Sequence, residues 1–241
     1  MSDAVQSPQD AARGRRSRGG GGAASRRATR TANVITSLPV LERNLPLTTV
    51  LSEEGLSIVE TNADTLLQEV GIDFRDEEAL KIWKEAGADV KGERVRFEKG
   101  MLRELCKTIP SEYEQLARNP GKNVMVGGKR TVFAPVYGPP FYRDYESGRR
   151  YATIKDFENI VKLIYMLPAL HHSGGTVCEP VDVPVNKRHL DMVYAHLKYS
   201  DKPIMGSVTA PERAQDTVEM LKIVFGEEVA TNKPCTTSLI N

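Results

Sequence analysis

Leu170-His171-His172-Ser173-Gly174-Gly175-Thr176-Val177-Cys178-Glu179-Pro180 is the stretch on which the fold reading turns. An amphipathic pattern, Ile154 to Met166, precedes it, and another, Asn186 to Tyr199, follows. Between these two helices the segment starts as a short strand and breaks into glycines. A strand that ends in small and polar residues and then feeds a helix is how the catalytic rim of a β/α barrel is built. Two of the chain's four histidines stand here side by side.

Outward from this stretch the chain repeats a strand–loop–helix unit. Leu170 to Gly174 is followed by the helix Asn186 to Tyr199. Pro203 to Val208 is followed by Pro211 to Phe225, with proline at the first helical turn. Pro234 to Ile240 reads as a further strand. Strands alternating with helices at this spacing predict parallel βαβ units. A doubly wound sheet and a barrel both fit that order. No GxGxxG follows any strand, which weakens a dinucleotide-binding reading.

Upstream the pattern differs. Ile58, Ala63, Leu66, Leu67 and Val70 fall at helical spacing, with Gly71 as a C-cap. Asp76 caps a second helix that ends at Gly87. Asp89 to Phe97 reads as a hairpin with a Lys91-Gly92 turn, and a third helix runs from Lys99 to Thr108. Asn123 to Val126 and Arg130 to Val136 predict a second hairpin around Gly127-Gly128. Phe141 to Tyr145 and Arg149 to Thr153 predict a third around Glu146-Ser147-Gly148. Thr153 and Asp156 have capping-box spacing ahead of the helix from Ile154.

The expected organisation is therefore α/β: a partial TIM-type (β/α) barrel over 121–241, truncated at its C-terminus, preceded by an α-rich module with a hairpin over 45–120. Residues 1–33 are a separate basic tail. Seven arginines from Arg13 to Arg30 are interleaved with glycine, alanine and serine, a composition that offers no core and predicts disorder. The 241 residues carry a net charge of +1, so the whole chain has no bulk attraction to nucleic acid or to a membrane. No apolar run reaches the roughly 18 residues of a membrane span. The three cysteines, Cys106, Cys178 and Cys235, are odd in number and far apart, which predicts a reducing, cytoplasmic compartment.

From about Val70 to Asn241 the chain resembles the trimethylamine methyltransferase family of corrinoid-dependent enzymes. The resemblance is carried by Glu85-Ala86-Gly87-Ala88-Asp89-Val90-Lys91-Gly92-Glu93-Arg94-Val95-Arg96-Phe97, by Ala152-Thr153-Ile154-Lys155-Asp156, and by His189-Leu190 through Asp201-Lys202-Pro203-Ile204-Met205-Gly206. It implies a β/α barrel that moves a methyl group from a methylated amine to Co(I) of a cobalamin on a separate corrinoid protein. The cofactor would then belong to the partner, with none bound tightly here. Family members run well beyond this length, so the resemblance implies an N-terminal part that is inactive alone. The archaeal trimethylamine enzymes carry a pyrrolysine in the part beyond it, whereas many bacterial relatives lack one and resemble demethylases of quaternary amines such as glycine betaine.

On a barrel the residues that meet substrate or corrinoid lie at the C-terminal ends of strands. Here those are Tyr137, Gly138, His172, Gly174, Gly175, Thr176, Ser207, Thr209 and Asn241. Tyr137 is the aromatic face suited to a cationic amine; its plain alternative is a packing tyrosine with its hydroxyl in water. His171 and His172 point to opposite faces of a strand and cannot share one metal. Either can equally be a hydrogen-bonded core residue. Gly174 and Gly175 allow close backbone approach to a corrinoid, or only a tight turn. His189 and His196, seven apart on one helix face, read as packing or surface residues. No catalytic residue is singled out, and no metal is expected. A non-catalytic barrel-like module tethered to RNA or another acidic partner by its basic arm competes with the enzyme reading. A metal-dependent barrel hydrolase is disfavoured by the missing HxH. Self-association through an open strand edge is left open.

Overall fold

The computed structural model describes residues 38–239, so the basic tail and Asn241 lie outside them. After a short strand, β1 (Leu41–Glu42), helix α1 (Glu53–Thr65) starts where the Ser52 hydroxyl accepts from the Gly55 N–H. It runs on as one π turn, Leu66–Val70, and stops at Gly71, whose φ of 74° suits only glycine. Strand β2 (Ile72–Asp73) leads to α2 (Glu77–Glu85), capped by Asp76, then to β3 (Asp89–Lys91), β4 (Arg94–Arg96) and α3 (Met101–Cys106). β4 lies between β2 and β3 and is antiparallel to both. Val95 and Phe97 are buried beneath it, with Trp83 edge-on to Phe97 at 4.8 Å between ring centres.

The hairpin expected around Gly127-Gly128 is not what forms. Strand β5 (Glu112–Gln115) takes β6 (Val124–Gly127) as its antiparallel partner, and β7 (Arg130–Thr131) pairs instead with β1. Glu112-Tyr113-Glu114-Gln115 has no apolar alternation, so its claim on β6 is invisible locally. β8 (Phe141–Asp144) and β9 (Gly148–Tyr151) do form the predicted hairpin, closed where Asp144 accepts from the Ser147 N–H at 2.5 Å.

Helix α4 (Ile154–Met166) begins at a complete capping box: Thr153 accepts from the Asp156 N–H, and Asp156 from the Thr153 N–H. The Arg150 guanidinium grips the same carboxylate at 2.6 and 2.8 Å and holds its pKa far below the usual range. After α5 (Val185–Tyr199) come β10 (Ile204–Met205), α6 (Pro211–Phe225), α7 (Glu227–Asn232) and β11 (Thr236–Thr237). The sequence reading did not anticipate α7. Gly174 bridges Ile204 in parallel, and β10 pairs β11 in parallel. The bonds Ser173 N–H to Pro203 O, Met205 N–H to Gly174 O and Gly206 N–H to Thr237 O, 2.8 to 3.0 Å, knit these three segments together. The strands are shorter than predicted.

The architecture is mixed α/β with small sheets, and no barrel closes among the described residues. Two apolar clusters hold this part. Phe157, Val161, Ile164, Val177, Cys178 and Ala195 pack between α4 and α5, and Val193, Ile204, Leu221 and Cys235 pack beneath α6 and α7. The buried Lys202 ammonium donates to the Ile164, Leu167 and Leu170 carbonyls at 2.8, 2.9 and 2.7 Å, satisfying acceptors where α4 ends. No helix among the described residues is long and apolar enough to cross a membrane.

Candidate functional site

Parallel strands expose their following loops at one end. The segments ending in Gly174-Gly175 and Gly206-Ser207 run in the same direction and release their loops side by side. There a cavity of about 220 Å³ is lined by Tyr137, Gly138, Thr176, Ser207 and Thr209. Five residues expected at the rim therefore share one space. Arg188, His189, Met192 and Arg213 complete its wall with Glu179 and Val185.

Tyr137 is held in place by its neighbours' backbone. The Gly138 N–H donates to Thr176 O at 2.6 Å. A side chain at Gly175 would start 3.0 Å from the Tyr137 ring and 2.8 Å from Met205 Cβ, so the ring and the sheet close on that glycine. Gly174 has φ of 86°, and a Cβ there would lie 2.4 Å from Pro135. Both glycines serve close packing behind the cavity and do not line it.

His172 does not reach the cavity. It is 3% exposed; its Nε2–H donates to Gln115 Oε1 at 3.2 Å and its Nδ1 accepts from the Gly174 N–H at 2.9 Å. The Gln115 amide donates onward to Ile204 O at 2.8 Å. His196 is sealed likewise: Nδ1 accepts from the Ser173 hydroxyl and Nε2–H donates to Gly175 O, both at 2.7 Å. Burial pushes both imidazoles down to about 4, so they stay neutral. Nδ1 of His171 accepts from the Phe133 N–H, and its Nε2–H donates to Leu38 O at 3.1 Å. Burial pushes the Cys178 thiol up to about 12, far from a reactive thiolate. Asn241 lies outside the described residues.

The cavity-facing groups that sequence reasoning missed sit near helix starts. Arg188 and His189 stand near the start of α5, and Arg213 near the start of α6. A residue there overhangs the end of the preceding strand, and that position was the available signal. Arg188 is neutralised by Glu179 at 2.5 Å and donates to Val183 O. Arg213 donates to the Thr209 hydroxyl at 2.7 Å and has no carboxylate partner among the described residues. His189 is 4% exposed; its Nε2 meets Asp216 Oδ2 at 2.7 Å. Its Nδ1 is the buried side-chain polar atom left without a partner among the described residues. A larger cavity, about 290 Å³, lies against Gln68, Arg96 and Phe97 and contains none of the rim residues. No three His, Cys, Asp or Glu side chains among the described residues converge on a point that would hold a metal.

Residues 18–241 match the protein family described as trimethylamine methyltransferase (MTTB). Among curated proteins, a glycine betaine methyltransferase from Desulfitobacterium hafniense strain Y51 is 41% identical over 198 residues, 82% of this chain and 41% of that protein. A proline betaine:corrinoid methyltransferase from Eubacterium limosum is 28% identical over 160 residues, 66% of this chain and 33% of that protein. The trimethylamine methyltransferase MttB of Desulfitobacterium hafniense strain DSM 10664 / DCB-2 is 29% identical over 114 residues, 46% of this chain and 23% of that protein. The chain thus spans less than half the length of these relatives. With a match that covers all of its described residues, the chain belongs to the trimethylamine methyltransferase family.

Proposed function

We propose that this chain supplies part of the amine-binding wall of a corrinoid-dependent methyltransferase acting on a betaine. The observation that carries this reading is the 41% identity to a glycine betaine methyltransferase across 82% of the chain. Tyr137 presents a ring face to the quaternary ammonium, while Gly138, Thr176, Ser207 and Thr209 shape the space around it. Gly174 and Gly175 support the rim from behind. His172 acts only through the sheet it braces. The parallel pairing of Gly174, β10 and β11 supports a (β/α) barrel over 121–241 in the complete enzyme, with 45–120 as a module ahead of it.

In this reading the partner protein's Co(I) supplies the nucleophile that takes the methyl cation, and the amine leaves neutral with the nitrogen electron pair. The chain's own residues bind and orient the ammonium and exclude water. A space of about 220 Å³ suits a small betaine and not a corrin ring, so the corrinoid protein would dock at its mouth. Three free cysteines suit a cytoplasmic enzyme.

The test is methylcobalamin formation from Co(I) cobalamin, followed by absorbance, with glycine betaine, proline betaine, carnitine and trimethylamine. A polypeptide spanning the relatives' full length should turn over a betaine, and residues 1–241 alone should not. Tyr137→Ala in the longer polypeptide should raise KM, through loss of about 0.5 to 2 kcal/mol of cation–π attraction. No turnover of any methylated amine by the longer polypeptide would overturn the reading.

A further inference from the structure

His189 and Arg213 stand out because neither has its chemistry answered within the chain. The His189 Nε2 is engaged by Asp216, so in the neutral ring Nε2 carries the proton and Nδ1 is a bare lone pair. That lone pair is buried and unpartnered, on a residue that lines the cavity. Such an atom costs free energy unless a ligand meets it. Arg213 lies three residues before Asp216 on α6, hence on the same helix face. It lines the same cavity, and its bond to the neutral Thr209 hydroxyl leaves its charge uncompensated.

We propose that His189 and Arg213 form a subsite for the carboxylate of a betaine, and so fit this cavity to zwitterions in preference to trimethylamine. This rests on the reading of the cavity as the amine site. A trimethylammonium ion without a carboxylate would face the Arg213 charge unaided. With a betaine, the carboxylate meets the guanidinium and the quaternary nitrogen turns towards Tyr137. As an imidazolium, His189 donates Nε2–H to Asp216 and Nδ1–H to the ligand carboxylate. The other groups facing it do not compete: Arg188 is paired with Glu179, and His196 on the same helix is neutral and bonded to Gly175 O. Arg213, His189 as imidazolium, Asp216 and the ligand carboxylate then sum to zero charge.

The experiment is titration calorimetry of the 241-residue chain at neutral pH. The probes are glycine betaine, its carbon isostere 3,3-dimethylbutanoate, tetramethylammonium and inorganic phosphate. Both carboxylates should bind. Arg213→Gln should weaken both by about tenfold to a hundredfold and should not weaken tetramethylammonium, whose cation is relieved of the Arg213 charge. His189→Asn should weaken both carboxylates by about threefold to tenfold. If the dimethylbutanoate binds through Arg213 as tightly as glycine betaine, and tetramethylammonium does not bind, the subsite stands and the amine reading of the cavity fails. Unchanged betaine affinity in both variants, failure of either carboxylate to bind, or phosphate binding as tightly as betaine would overturn the subsite.

Discussion

Two sets of polar side chains lie on either side of Gly175. Behind it Gln115, His172, Ser173, His196 and Lys202 are sealed from solvent, and their hydrogen-bonding atoms find partners in the sheet and the end of α4. In front of it His189 is equally buried but half-bonded, and Arg213 carries an unanswered charge. Burial of a polar group is therefore not what separates scaffold from candidate site here. Unmet bonding capacity is, because a buried group with every partner in place has nothing left to offer a ligand.

The largest expected effect tests the sealed side with acid. The folded imidazoles of His172 and His196 have pKa values near 4, below the usual 6.5. As pH falls, the unfolded chain takes up protons first. Stability is then full above pH 6.5 and is lost between 6.5 and 4, by about 5 kcal/mol for the two together. Urea unfolding from pH 7.5 to 4.5 should show that slope, and His172→Gln or His196→Asn should flatten it. A flat profile in the unaltered chain would mean that these rings are not sealed.

Lys202→Met comes next. It strips one cation from three carbonyls and should cost about 3 kcal/mol, read as a lower urea midpoint at unchanged slope. Gly175→Ala tests the boundary between the two sets. Its Cβ would enter the space of Met205 and the Tyr137 ring, costing about 2 kcal/mol and displacing the ring from the cavity wall. Loss of stability with glycine betaine binding intact would show that Tyr137 does not form the site. The smallest effect should come from Arg213→Gln, whose stability should stay within about 0.5 kcal/mol of the parent. A large drop in its unfolding midpoint would move Arg213 to the scaffold side of the comparison.

Much of the helical layer was legible before any coordinates. The limits Ile154–Met166 and Pro211–Phe225 follow from Thr153 with Asp156 and from a first-turn proline, which are signals within a few residues of the helix start. The β8–β9 hairpin was equally plain, because Glu146-Ser147-Gly148 is a turn of its own. The site was legible in part. Tyr137, Gly138, Thr176, Ser207 and Thr209 end strand candidates and do line one cavity. His172 shares that position in the sequence yet faces Gln115, and His189, read as packing, lines the cavity.

Sequence alone, then, determined where helices start and stop, where glycines turn the chain, and which family it resembles, since caps, turns and motifs are contiguous. Tertiary structure alone decided that β6 pairs with β5 and β7 with β1, and which histidine keeps a free lone pair. Strand pairing and hydrogen-bond satisfaction depend on atoms far apart in the chain. Gln115 and His172 are 57 residues apart, and His189 and Asp216 are 27. No local pattern encodes which of those partners arrives, because a side chain's propensity is set by its neighbours along the chain and its bonding by its neighbours in space.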